Sequence, residues 1–374
     1  MRVLIVGAGI LGLLTARACA LRGAAVTLLE QGPLPATGAT SWDQHRIVRT
    51  LHPGQPHLTA LAARAERHWR DLARGFSAPV YQRTGSLTAL PPSAARASGD
   101  LLTSQGLRHA HLPAAELHRR YPLIRWPDGL DGVHDPQAGV LLADQILLEL
   151  TRELARTPGV TLLPGQTVTH VDADALHVIT PGGRHSGDAL VLTAGLGTRR
   201  LLPAEPSEER RQLLLYVTPP VAHRAAWATL PAVPAIGDAD GSWLIPPVAH
   251  TALKLTSHAA SWVEGTRPDV QPAYDRLVTQ FAELIPGFTQ AWVSGRRTCA
   301  YRIHPDRGTP VIRPLDAAGR ACAVTACGGG AFKFAPLMAD HLARRVLDAA
   351  PVPALFDPPP PTLPLEDSHA APGH

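Results

Sequence analysis

Residues 2–30 read RVLIVGAGILGLLTARACALRGAAVTLLE, and few folds satisfy that run. Residues 3–6 are too short and too branched for a helix, so they read as a buried strand. Gly7, Gly9 and Gly12 follow at G-x-G-x-x-G spacing. An apolar-periodic helix is expected over about 10–21, with Gly23 as its C-cap. A second strand, 25–29, ends in Glu30. Gly7 permits the tight turn out of the strand. Gly9 lets a pyrophosphate approach the backbone, and Gly12 lets helix and strand pack closely. The helix N-terminus offers free N–H groups to phosphates. Glu30 is placed to accept ribose hydroxyls and would repel a 2′-phosphate. Strand, glycine turn, helix, strand and acid together predict a dinucleotide-binding βαβ unit.

Met1-Arg2, the apolar run and Ala18-Cys19-Ala20 imitate a secretory signal. The glycine spacing, Arg17 inside the run and Glu30 argue against that reading. No apolar run reaches the ~18 residues of a membrane span. The expectation is a soluble, cytoplasmic protein with no membrane partner. At 374 residues and 45% hydrophobic, the chain suits one large or two closely joined domains. Four cysteines (Cys19, Cys299, Cys322 and Cys327) lack paired spacing, which argues against a disulfide framework and against zinc. No metal site is expected, and His109 and His111 read as surface residues without a carboxylate partner. The formal charge is +4 and the basic residues are scattered, which disfavours nucleic acid. Of 35 Lys+Arg only Lys254 and Lys333 are lysines. Lysines that survive such an arginine bias by more than chance are expected where a compact ammonium is needed.

Further along, a helix is predicted over 57–74, with Leu58, Leu61, Ala62, Ala65, Trp69 and Leu72 on one face. A strand is predicted at 85–90, and 91–136 reads as irregular or short-helical. Asp144 can N-cap an amphipathic helix ending near 156. Strands follow at 160–163, 168–173, 175–180 and 189–194, the last ending at Gly195. Segments 212–218, 242–246, 252–257 and 291–301 read as strands of a more open sheet, with a helix over 272–284. A buried strand, 322–326, leads through Gly328-Gly329-Gly330 to Phe332-Lys333-Phe334 and a helix to about 349. Residues 351–374 form a Pro-rich C-terminal tail, expected to be polyproline-like or disordered.

Four short elements carry a more specific likeness. Arg46-Ile47-Val48-Arg49, Lys254-Leu255-Thr256-Ser257-His258, Thr298-Cys299-Ala300-Tyr301 and Phe332-Lys333-Phe334 resemble R-I-I-R, K-L-G-x-H, C-x-Y and G-F-K-F elements. These belong to the D-amino-acid-oxidase superfamily of flavoenzymes. The chain is most similar to the monomeric sarcosine oxidases and N-methyltryptophan oxidases, over nearly its whole length to about 350. Both lysines fall on these motifs.

The resemblance implies an α/β (α+β) protein. A Rossmann-like FAD-binding domain would be assembled discontinuously from 1–80, 145–205 and 296–350. A substrate domain, 81–144 and 206–295, would be built on a mostly antiparallel sheet. It implies FAD, with Gly7, Gly9, Gly12 and Glu30 on the ADP half and Thr40 and Ser41 along the ribityl chain and flavin. Val168 would reach the adenine through its backbone, and Gly195 would lie near the pyrophosphate. Gly329 and Lys333 lie in the loop beside the flavin. Arg46 would lie over the flavin ring, and Lys254 beside it would help O2 accept electrons. His258, Tyr301 and Trp243, the last where tyrosine is usual, would line the substrate cavity. Cys299 stands where the family's flavin-linking cysteine stands, with Arg296, Arg297 and Arg302 as candidate sources of positive potential. Gly330 and Ala331 depart from the family's histidine and glycine. Hydride loss from an amino acid also demands a clamp that turns Cα toward the flavin, and Arg49 and Lys333 supply two cations for it.

The expected activity is FAD-dependent oxidation of a secondary or primary amino acid or amine. It yields an imine, and O2 is reduced to H2O2, in a monomer. Two rivals are an FAD-dependent dehydrogenase or hydroxy-acid oxidase with another acceptor, and an RNA-interacting flavin-domain protein.

Overall fold

Val3 and Ile5 pack to one side of the strand Arg2–Val6, and Leu4 and Val6 to the other; all four are buried. A strand covered on both faces has no wet side, which is why its sequence shows no polar alternation. The computed structural model describes residues 1–263, 265, 270–306 and 310–351. Among the described residues six strands form one sheet. Their order is Val311–Pro314, Ala321–Ala326, Ala189–Leu192, Arg2–Val6, Ala25–Leu29, Val160–Leu163. All pairings are parallel except that of the edge strand Val311–Pro314. Both ends and the middle of the chain therefore share this sheet. Helices Ile10–Ala20, Pro56–Ala73, Ala143–Arg156 and Ala331–Asp348 share the core on the Val3 side. A three-stranded antiparallel sheet, His170–Asp172, His177–Thr180 and Gly183–Ser186, lies on the Leu4 side, where Leu176 and Val178 join that core. Each buried Leu, Ile or Val here contributes about 1.5–3 kcal/mol.

A second sheet has nine strands among the described residues, antiparallel but for Ala232–Ala235 against Ser86–Leu90. At one end of it Glu208–Val217 pairs with Leu253–Ser257, Ser261–Val263 and Val293–Ile303. Leu213, Leu215, Leu253 and Leu255 pack on the helix Val270–Leu284 through Tyr274, Leu277 and Phe281. Alternation sends Tyr216, Lys254 and Cys299 to the opposite face. A third, small sheet joins the layers: Arg46–Val48, Gly139–Leu141 and Tyr81–Gln82. Val48 and Leu141 enter the first core, while Ile47 and Val140 pack with Ile245 and Trp243 of the second sheet.

Several local expectations are corrected. Residues 91–136 hold a helix, Pro92–Ser104, and the strands Ala110–Leu112 and Asp131–Asp135. Pro92 is tolerated because it stands at the helix start, where its missing N–H costs nothing. His111 is not without an acid; its Nε2 lies 2.8 Å from Asp131 Oδ2. Leu142, not Asp144, is the N-cap of Ala143–Arg156. Asp144 sits in the first turn, where its charge favours the helix dipole. The expected strand at 168–173 is only His170–Asp172 and leaves Val168 in the preceding loop. The boundary expected at 296 falls inside Val293–Ile303, which pairs with the second sheet along its length. The Pro-rich tail lies, beyond Pro351, outside the described residues.

Candidate active site

The glycine turn is built so that only glycine fits it. Gly7 has φ +98°, and a Cβ there would lie 2.6 Å from Thr193 O. A Cβ on Gly12 would lie 1.8 Å from Gly7 O. Thr193 closes the turn from the neighbouring strand, its hydroxyl reaching Val6 O and Gly7 O at 3.0 Å. Ser41 Oγ accepts the Ile10 N–H at 3.1 Å. The N–H groups of Leu11 and Gly12 find no acceptor among the described residues. Glu30 accepts from Ala8 N (2.8 Å) and Gly32 N (3.0 Å), which fixes its carboxylate beside the turn. Val168 is buried against the same sheet. Gly195 follows the Ala189–Leu192 strand at φ +57°, exposed and with open space around it. Open N–H groups, a crevice free of side chains and a fixed acid suit a dinucleotide with an unmodified ribose.

The chain from Thr40 to His52 runs through the joint between the sheets. Asp43 is its centre. Its carboxylate accepts from Lys254 Nζ (2.7 Å), Tyr216 OH (2.5 Å) and the Arg46 guanidinium. Lys254, 1% exposed, also donates to His45 O at 2.7 Å. Arg46 reaches Thr40 O at 2.8 Å and lies over the Phe332 ring, 5.9 Å from its centroid. Thr40 in turn donates to Ala300 O at 2.7 Å. Burial alone would raise the Asp43 carboxyl; Arg46 and Lys254 outweigh it and hold the group well below the usual range. Burial pushes Lys254 down to about 8, with Asp43 opposing that shift and Arg46 adding to it. The buried His45 ring is pushed well below its usual value, first by burial and then by Lys254, and is neutral.

A second cationic pair sits at the start of the helix Ala331–Asp348. Lys333 Nζ, on a residue 7% exposed, lies 2.6 Å from His52 Nε2 and 4.6 Å from the Phe334 ring centroid. His52 Nδ1 is 3.0 Å from Thr50 O, so it carries the proton and leaves Nε2 as an acceptor. Burial, then the charge of Arg49, pushes Lys333 well below its ordinary value. Burial also lowers Arg49, to about 10. Neither cation has a carboxylate partner among the described residues. Trp69 braces this turn, stacking on Phe332 at 5.5 Å and donating to Lys333 O at 2.8 Å.

Register brings the remaining candidates together. Tyr216 pairs with Lys254, and Gln212 with Cys299, so Arg297, Cys299 and Tyr301 share the Lys254 face. Cys299 is close enough to act electrostatically on Lys254 and Arg46. The Tyr301 ring lies beside Gly329, where a Cβ would meet it at 3.7 Å. Trp243 shares this face and packs with Ile47, next to Arg46. Arg296 and Arg302 are corrections. Alternation turns them away: Arg296 lies over Tyr274, and Arg302 is buried against Ser207. The strand that carries Lys254 ends at Ser257, and His258, just beyond it, is exposed and packed against Gly241. A cavity of about 800 Å³ elsewhere is lined by Gln44, Arg83, Arg224 and His250 among others and by none of the predicted residues.

Asp43, His52 and Tyr216 were not singled out from sequence. Asp43 left one signal, being the only carboxylate between Glu30 and Glu66. Among the described residues no helix is long and apolar enough to cross a membrane, and no His, Cys, Asp or Glu cluster could hold a metal.

The dinucleotide turn lies in the parallel layer, and Lys254 is fixed on the second sheet. The chain belongs to the FAD dependent oxidoreductase family (DAO), whose model matches residues 2–345. It is 32% identical over 203 residues to the peroxisomal sarcosine oxidase of Mus musculus, a match covering 53% of this chain and 51% of that one. The chain thus spans about half the length of that relative. It is 23% identical over 359 residues to the N-methyl-L-tryptophan oxidase of Salmonella arizonae, covering 93% and 95%. Among solved structures it is similar to NikD, an amino acid oxidase of nikkomycin biosynthesis (TM-score 0.74, 22% identity, 93% and 94% covered). It is likewise similar to Amadoriase I of Aspergillus fumigatus (TM-score 0.74, 19% identity, 92% and 86% covered). At these identities the structural likeness is one of fold. The glycine turn, the free N–H groups and Glu30 fit the family's cofactor, FAD.

Proposed function

We propose that this protein oxidises a carboxylate-bearing primary or secondary amine, an amino acid in the broad sense, at the Cα–N bond. One observation carries the reading: the basic side chains of Arg49 and Lys333 meet at a partly desolvated joint and have no carboxylate partner among the described residues. Such a pair needs a negatively charged visitor. A bound FAD would supply the hydride acceptor for Cα and the route for the electrons to O2. Gly7, Gly9, Gly12, Glu30, Val168 and Gly195 would hold its ADP half, and Thr40, Ser41, Arg46 and Gly329 the rest. The parallel layer is then the cofactor side and the second sheet the substrate side. Arg49 and Lys333 bind and orient the carboxylate, while Tyr301 and Trp243 close the cavity. Lys254, fixed by Asp43 and His45 O, supplies a preorganised positive charge for O2 reduction. The named relatives that act on sarcosine and N-methyltryptophan support a substrate of this class. The test is a panel of N-methyl, cyclic and free amino acids assayed for peroxide. At least one class should give peroxide, and matching amines without the carboxylate should not. Substrate-dependent dye reduction without peroxide would instead indicate another acceptor.

Cys299 is proposed to carry FAD through a thioether to the 8α carbon; an 8α C–H bond would be given up for the C–S bond, the protons would pass to solvent, and the electron pair would pass to the flavin ring and on to O2. It shares the Lys254 face of the sheet with Arg297. Acid precipitation of the holoenzyme should then give a yellow pellet, and Cys299→Ser a colourless one. Flavin released into the supernatant by the parent protein would leave Cys299 a structural thiol.

A further inference from the structure

We propose that the empty clamp holds Lys333 as a neutral amine, and that arrival of a substrate carboxylate is coupled to uptake of one proton by Lys333, with His52 as the positioning residue. The inference rests on the carboxylate-clamp reading above.

The geometry supplies the reasons. From the chain after Arg46–Val48, Arg49 and His52 face Lys333. Arg46 lies over Phe332, one residue before it. From Pro56–Ala73, Trp69 engages only the Lys333 carbonyl. Across the loop, Tyr301 stands beside Gly329. The neighbouring acids are already used. Asp135 accepts from the Thr50 hydroxyl and N–H, and Glu66 accepts from Tyr81. Two basic groups thus share a poorly hydrated site with no carboxylate partner among the described residues. An arginine keeps its proton under such pressure, and a lysine gives it up.

His52 makes that loss structurally harmless. Its Nδ1–H is committed to Thr50 O, and Thr50 is anchored on Asp135. Nε2 is therefore a fixed lone pair. Lys333 can donate an N–H to it as amine or as ammonium, so the bond holds the side chain without dictating its charge. Burial and Arg49 both push Lys333 downward, and His52 is pushed down as well, which keeps it an acceptor. A carboxylate between Arg49 and Lys333 reverses the balance, and solvent supplies the proton.

The test is calorimetric titration of the holoenzyme with 2-furoate, a carboxylate without an amine, at about pH 8, where a free lysine is charged. It is run in phosphate and in Tris, whose ionisation heats differ. The expected result is a buffer-dependent heat corresponding to about one proton taken up per ligand. Lys333→Arg should bind 2-furoate with no buffer dependence. His52→Leu should weaken binding about tenfold, and His52→Gln, which keeps an acceptor oxygen, should restore it. Binding by the parent with equal heats in both buffers would overturn the proton coupling alone, as would uptake that persists in Lys333→Arg. No 2-furoate binding by the parent would overturn the clamp and this inference with it.

Discussion

Asp43→Asn is expected to lower the melting temperature by roughly 10 °C, the largest stability loss from any single polar substitution at this site. The variant keeps the shape of the side chain and removes one charge. Lys254 and Arg46 are then left buried without a counter-ion, and breaking such a group costs about 3–5 kcal/mol. The pH dependence gives the effect a signature. Burial pushes Lys254 down, and Asp43 is what holds it at about 8. Without the carboxylate its folded value falls further, while the unfolded chain keeps an ordinary value near 10.4. A base whose folded value is depressed costs stability below its unfolded value, and the cost grows until the folded value is reached. At about pH 9 both proteins carry much the same Lys254 cost. Toward about pH 6 the parent's cost has levelled off and the variant's still increases. The gap in melting temperature should therefore widen as pH falls across that range. Adding Lys254→Met should recover at least half of the loss, since an apolar side chain replaces the stranded ammonium. A single variant melting within about 2 °C of the parent at every pH would show that Asp43 does not balance these cations.

The same residue shows what the sequence could and could not disclose. The dinucleotide turn was legible because all its parts lie within residues 2–30, and each glycine answers a local demand on backbone space. The runs 3–6, 25–29 and 189–192 were legible as strands because burial on both faces removes polar residues from them. Lys254 and Lys333 stood out as the survivors of a composition bias. Their partners did not. Asp43 meets Lys254 across 211 residues, and His52 meets Lys333 across 281. No period or spacing encodes such a meeting; only the joint formed by Arg46–Val48 and Gly139–Leu141 creates it. Alternation likewise decides which of Arg296, Arg297 and Arg302 faces Cys299, and that needed the register with Glu208–Val217. The placement of His258 was hidden for a related reason. Its parity on the strand is right, but the strand stops one residue short of it.

Removing both clamp cations should have the largest kinetic effect. For an amine substrate that bears a carboxylate, Arg49→Ala and Lys333→Met should each lower kcat/KM about tenfold to a hundredfold. Each charge-assisted contact to a carboxylate is worth roughly 1.5–3 kcal/mol. The double variant should lose on the order of a thousandfold, short of the product of the single losses, because Arg49 and Lys333 grip one group and are coupled. The losses should appear mainly in KM for Arg49→Ala, whose guanidinium is partly exposed and acts first in binding. Lys333→Met should also reduce kcat, because Lys333 lies deeper and fixes the orientation of Cα. Arg49 stands in the segment after Arg46–Val48 and Lys333 in the first turn of Ala331–Asp348. Neither reaches the glycine turn, so both variants should retain FAD and an unaltered flavin spectrum. An amine without a carboxylate, if it reacts at all, should lose less than about threefold in either variant. Unchanged kinetics in both single variants, with FAD retained, would remove the clamp. Equal losses for amines with and without the carboxylate would show that the two cations support the fold of the joint and not the substrate.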